Sequence, residues 1–164
     1  MDFGSSPLKK TNAARFLDNL GISYELIEYE VDEEDLSAET VARKVNLPFA
    51  QVYKTLVVRG DKTGVLLTCI PTGTELDLKK IAEVSGNKKV EMVPVKEVLP
   101  LTGYIRGGVS PIGTKKHYPT VVHESALQYP FISISAGTRG LQIFVDPKKL
   151  SEVIKARTAA IVRD

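Results

Sequence analysis

The chain has 164 residues, 43% of them hydrophobic and 26% charged. That size and apolar fraction fit one globular domain and exclude a disordered chain, which combines low hydrophobicity with high net charge. Twenty-two basic residues against 20 acidic ones leave a formal net charge of +2, which excludes a polycation and still permits a local basic patch.

Residues 1–8 read as an N-terminal tail, and 9–164 as a single domain without repeat or linker. The first helix runs from Thr11 to Leu20, with Ala13, Phe16, Leu17 and Leu20 on one face. Gly21 stops it. Alternation over Ile22 to Tyr29 predicts a strand. The acidic loop Glu30 to Asp35 leads to Ser37, a helix N-cap for a face of Val41, Ala42 and Val45, which Asn46 and Pro48 end. Val52 to Arg59 and Val65 to Ile70 read as a hairpin joined at Gly60-Asp61. Asp77 caps a helix that buries Leu78, Ile81 and Ala82 and stops at Gly86. Lys88 to Val93 is a short strand, Pro94 opens a helical turn through Leu99, and residues 103–114 form a Gly-rich loop. Strands follow at Thr120–His123, Phe131–Ser135 and Leu141–Val145. Asp146-Pro147 then starts a closing helix striped by Leu150, Val153, Ile154 and Ile161. The expected fold is α+β, a mixed sheet of six or seven strands flanked by helices.

The sequence lacks the spacings of common catalytic motifs. It has no CxxC pair, no HExxH, no phosphate-binding Gly-rich fingerprint and no GxSxG. His117 and His123 lack ligand spacing, so no metal and no cofactor is expected. The lone Cys69 cannot form an internal disulfide and reads as a buried strand residue in a reducing compartment. No apolar run reaches the roughly 20 residues that span a bilayer. The N-terminus lacks an apolar signal core, so a cytoplasmic location without a membrane partner is expected.

Three features stand out. In QVYKTLVV, alternation places Lys54 on a face with Val52, Leu56 and Val58. Such a lysine either snorkels its ammonium into water, the common fate, or holds it at a pocket wall as a compact donor. Gly107-Gly108-Val109-Ser110-Pro111-Ile112-Gly113 is either a surface loop or a rim of backbone groups near a ligand. Ser135-Ala136-Gly137-Thr138-Arg139-Gly140 is a tight strand connection whose Arg139 and amides could meet an RNA end. Lysine pairs, among them Lys115-Lys116, are ordinarily solvated but would bind phosphates if they converged.

Read together and in order, KTNAARFLDNLGISYELIEYE, QVYKTLVV, GTELDLKKIAEVSGNKKVEMV, GYIRGGVSPIGTKK and SAGTRGLQIFVDPKKL resemble the YbaK family. The similarity points to its Cys-tRNA(Pro) deacylase branch, related to the editing domain of bacterial prolyl-tRNA synthetases. It covers nearly the whole chain from about residue 9. The resemblance implies a protein that acts in trans on aminoacylated tRNA(Pro), in a transient ternary complex with prolyl-tRNA synthetase. It corrects cysteine mischarging, which a size-selective pocket rejects by only about 1–3 kcal/mol. It also implies catalysis by the substrate's own thiol. By the same resemblance Lys54 and Gly107 are the catalytic positions. Tyr29, Ser110, Ser135, Gly137 and Gln142 are substrate-binding on the same grounds, while Lys115, Lys116 and Arg139 are expected to meet tRNA from their charge and loop positions. At Gln142 the family often carries Asp, so this chain departs from the pattern where a substrate ammonium would be held. Two other readings are a deacylase for another residue, such as Ala-tRNA(Pro), and a non-catalytic module that binds tRNA or a synthetase.

Overall fold

The computed structural model describes residues 10–164; the expected tail over residues 1–8 lies outside them. Helix α1 (Asn12–Asn19) leads to β1 (Tyr24–Glu28) and α2 (Ala38–Lys44). The hairpin β2 (Tyr53–Gly60) and β3 (Gly64–Pro71) precedes α3 (Leu78–Ser85), β4 (Val90–Met92) and α4 (Val95–Thr102). The last third holds β5 (Thr120–His123), β6 (Ile132–Ser135), β7 (Leu141–Val145), α5 (Pro147–Val153) and β8 (Arg157–Ala159).

Local chemistry sets the helix ends. Thr11 Oγ1 accepts the Ala14 N–H, so Thr11 caps α1 from outside it. Ser37 caps α2, and Asp77 and Asp146 each accept two backbone N–H groups at the starts of α3 and α5. Gly86 and Gly103 close α3 and α4 in the left-handed conformation that glycine enters without strain.

The strands form two sheets rather than one. The smaller is antiparallel, in the order β1-β7-β6; the larger is mixed, in the order β4-β2-β3-β5-β8. This corrects the single sheet of six or seven strands: which strands pair is set by contacts between distant segments, and β8, the one strand not expected, is three residues long and leaves little local pattern. It also corrects the closing helix: α5 ends at Val153, and Ile161 lies beyond β8, fully buried among Val58, Ile70, Ile81 and Val121. The main core packs α1 and α5 against the smaller sheet, with Leu17, Ile132, Ile134, Ile143 and Leu150 fully or almost fully buried.

The two sheets meet along one edge of β2. β3 pairs with the whole of the opposite edge, from Tyr53 to Gly60. On the free edge, Ser133 of β6 bridges Val52, and β4 pairs only with Val58–Gly60. Between these two contacts no strand covers residues 53–57, and there the candidate site opens.

Candidate functional site

A cavity of about 420 Å³ occupies that gap. Residues 52–57 line it from both faces of β2, so it opens along the strand edge rather than onto one face. Val93 N–H donates to the Val57 carbonyl at 3.0 Å. Backbone groups alternate between the two edges of an antiparallel strand, so Tyr53, Thr55 and Val57 turn theirs toward the gap. Leu36, Ser37 and Val41 bring the start of α2 to one wall, and Val93, Val95 and Val98 bring α4 to another. Arg106, Gly107 and Val109 supply the loop wall, and Ser135 with Gln142 the sheet wall.

The start of α2 is fixed by its own side chains. Leu36 precedes the cap Ser37 and Val41 lies four residues beyond it, the spacing of a hydrophobic staple; both line the cavity. Asp35 accepts the Thr40 hydroxyl at 2.5 Å and the Ser37 N–H at 3.1 Å. These bonds hold its carboxyl down at about 2.

Lys54 is half-buried in the wall, and the ion pairs among the described residues use other lysines. Gly107 has φ +87°, and a Cβ there would stand 3.2 Å from Arg139 Nε and 3.5 Å from Leu36 Cδ1. Arg139 itself is engaged: its Nε donates to the Arg106 carbonyl at 2.9 Å and its guanidinium pairs with Glu33 at 3.1 Å. It therefore ties the Gly-rich loop to the acidic loop behind Gly107, and it does not line the cavity. Tyr104 is a second tie. Its hydroxyl donates to the Ile112 carbonyl at 2.6 Å, and burial pushes it up to about 12.

Of the residues singled out in the sequence, the structure brings Lys54, Gly107, Ser135 and Gln142 together around the cavity. Others lie elsewhere. Tyr29 packs half-buried with Ala42, Val45 and Val52. Ser110 is fully buried inside the loop. Gly137 presses against the Tyr104 ring and donates its N–H to Ser135 Oγ at 3.1 Å. Lys115 and Lys116 are exposed on the chain after the loop and line no part of the cavity. Sequence reasoning did not single out Leu36, Thr55, Val93, Val98 or Arg106 as site residues. Arg106 had a signal, as the only cation inside the Gly-rich segment, and Leu36 had the staple spacing.

No group of three or more His, Cys, Asp or Glu side chains suited to a metal occurs among the described residues. Cys69 is wholly buried in β3, and burial lifts its thiol to about 12. The cavity thus offers donors and oriented backbone, without an activated nucleophile among its lining side chains. No helix among the described residues is long and apolar enough to cross a membrane.

The model for the aminoacyl-tRNA editing domain matches residues 32–153. EbsC of Enterococcus faecalis, described as a candidate Cys-tRNA(Pro)/Cys-tRNA(Cys) deacylase, is 46% identical over 153 residues, 93% of each chain. YwhH of Bacillus subtilis is 32% identical over 129 residues, 76% of this chain and 81% of its own. A crystal structure described as a candidate trans-editing enzyme for prolyl-tRNA synthetase superposes with a TM-score of 0.82 at 27% identity. That match covers 96% of this chain and 100% of the other.

Proposed function

Because this chain belongs to the aminoacyl-tRNA editing family, we propose that it acts in trans to deacylate Cys-tRNA(Pro), and Cys-tRNA(Cys) as well. The observation that carries the reading is Lys54, which has no ion-pair partner among the described residues and lines a cavity it shares with Gly107. About 420 Å³ suits a small acyl group with its ribose and leaves the rest of a tRNA outside.

The substrate thiol is the nucleophile. Its sulfur bonds to the ester carbonyl carbon, the bond from that carbon to the ribose oxygen breaks, and the thiol proton ends on the released ribose hydroxyl. The products are free tRNA and a small-ring thiolactone. Lys54 donates to the carbonyl oxygen as negative charge develops there, a role worth about 3 kcal/mol for one donor. The valine-lined wall and the Gly107 backbone hold thiol and ester close together, and ideal intramolecular geometry lowers such barriers by about 7–11 kcal/mol. The inert Cys69 thiol supports this assignment. Prolyl-tRNA synthetase is the partner this reading implies, delivering the mischarged tRNA in a transient complex.

The test is cleavage of Cys-tRNA(Pro) by the wild type and by Lys54→Ala, with an S-methylated substrate in parallel. The expected results are a loss of about 100-fold or more in the variant and no turnover of the methylated ester. Equal rates for the two proteins refute the role of Lys54. Turnover of the methylated ester replaces the cyclisation with attack by water. Tight tRNA binding without ester loss makes the protein a binding module instead.

A further inference from the structure

Gln142 is 5% exposed, yet it lines the cavity. Its side chain makes one hydrogen bond among the described residues, 2.8 Å between Gln142 Oε1 and the hydroxyl of Ser133, which is itself fully buried. Which end of the amide faces Ser133 decides the chemistry of the wall. The hydroxyl proton of Ser133 has no other acceptor among the described residues. If the amide nitrogen faced Ser133, that proton would be buried and unmet, at a cost of about 1–3 kcal/mol. The Ser133 hydroxyl therefore donates to Oε1, and the amide NH₂, with no partner of its own, is left for the cavity.

The neighbours sharpen the point. Ser135 is the cross-strand partner of Gln142, and its oxygen already accepts the Gly137 N–H, so its proton is free to donate. Lys54 adds a third donor to the same cavity. The sheet wall presents donors where an acceptor would be needed to hold an ammonium.

We propose that Gln142, oriented by Ser133, is a specificity-determining residue: its amide NH₂ donates to the heteroatom of the bound acyl side chain. The proposal rests on the editing reading above and names what the site recognises, acyl groups whose side chain carries a small acceptor atom, a thiol sulfur or a hydroxyl oxygen, of which the thiol alone can go on to react. The Gln142 amide nitrogen is reached from the cavity, and a bound alkyl side chain would cover it and leave it unmet; sites built around such a donor discriminate strongly against the analogue lacking the acceptor.

The experiment measures inhibition of Cys-tRNA(Pro) cleavage by non-cleavable amide-linked analogues of the cysteinyl, seryl and alanyl 3′ ends, with wild type, Gln142→Met and Ser133→Ala, after circular dichroism confirms that each is folded. Binding is thereby read apart from the thiol chemistry. Methionine keeps the volume and removes the donor. The expected result is that the cysteinyl-to-alanyl and seryl-to-alanyl affinity ratios both fall by about 10-fold or more in Gln142→Met, as loss of one hydrogen bond predicts. They fall by a smaller factor in Ser133→Ala, where the amide is free to turn over. Affinity ratios that stay within twofold of wild type, with all three analogues weakened together, overturn the proposal, since that pattern marks a structural role. If Gln142→Met does not fold, the Ser133→Ala ratios decide alone. A wild type that does not cleave Cys-tRNA(Pro) refutes the editing reading itself, a different outcome from an active enzyme with unchanged ratios.

Discussion

Replacing Gly107 by alanine separates the local geometry of the site from general stability, provided it is paired with Gly64→Ala. Both glycines have positive φ, +87° and +75°. An L-residue in that region costs about 1–2 kcal/mol. For a chain of this length each kcal/mol lowers Tm by about 2–4 °C, so the two variants should melt at similarly reduced temperatures. They differ in what the new methyl meets. At Gly64, in the hairpin turn, nothing lies within 4 Å. At Gly107 the methyl reaches Arg139 Nε at 3.2 Å and Leu36 Cδ1 at 3.5 Å. The flexible arginine gives way by a few tenths of an ångström, but it also holds the Arg106 carbonyl, and Arg106 and Leu36 are cavity walls. The displacement is therefore passed into the site. A misplacement of about 1 Å costs roughly 100-fold in rate, so a shift of a few tenths should cost about 4-fold. The assay is thermal melting beside single-turnover deacylation of Cys-tRNA(Pro) at 25 °C, where both variants remain folded. Gly107→Ala should lose about 4-fold in rate by that argument and Gly64→Ala less than about 1.5-fold. Equal activity losses, or full activity in Gly107→Ala, would refute the reasoning.

Two further outcomes follow from titrating groups. The Cys69 thiol, raised to about 12 by burial, should not react with Ellman's reagent at pH 8 in the native protein, and one equivalent should react in guanidinium; rapid native labelling would contradict the buried position. His123 has its pKa lowered by burial, and its Nδ1 accepts the Ile161 N–H at 3.2 Å, a bond the protonated ring cannot make. The unfolded chain takes up this proton near pH 6.5 and the folded chain only at lower pH. Stability should therefore fall as pH drops from 7.5 to 5.5, visible as a lower urea midpoint, and the effect should vanish in His123→Gln.

The parts of the fold legible in the sequence are those written in local chemistry. Asp77, Gly86, Ser37 and Asp146-Pro147 mark helix ends because capping involves side chains and amides within a few residues of one another. What stayed hidden depends on distant partners. Arg157–Ala159 is a strand because β5 offers it a parallel edge, and its three residues carry no period of their own. Ile161 continued the apolar stripe of α5 on paper, but the helix stops at Val153, and Ile161 is instead buried in the cluster that holds Val58 and Ile81. The same contrast holds at the site. Lys54 was legible because a lysine amid aliphatic strand residues is costly without a purpose. That Gln142 shares its cavity was not derivable from the spacing of residues, because it requires β6 and β7 to meet β2 at the Val52–Ser133 bridge. The family resemblance, which carries that three-dimensional arrangement implicitly, supplied the residue where periodicity could not.

The shortness of β4 ties these observations together. A strand edge left open exposes unpaired amides and carbonyls, and most proteins cover it or guard it with charge. Here β6 bridges this edge at Val52, and β4 pairs with β2 only from Val58 onward. The intervening edge is walled by α2, α4 and the Gly-rich loop, which exclude another chain but admit a small acyl group. Thr55 directs its N–H and C=O into that space by the alternation that Val57 establishes. Backbone groups in a sheet cannot rotate away, so they position a substrate with little reorganisation when charge develops. A long β4 would have completed the sheet at the cost of the site. The editing reaction proposed for this chain needs no protein nucleophile, and an uncovered strand edge beside one lysine is sufficient scaffold for it.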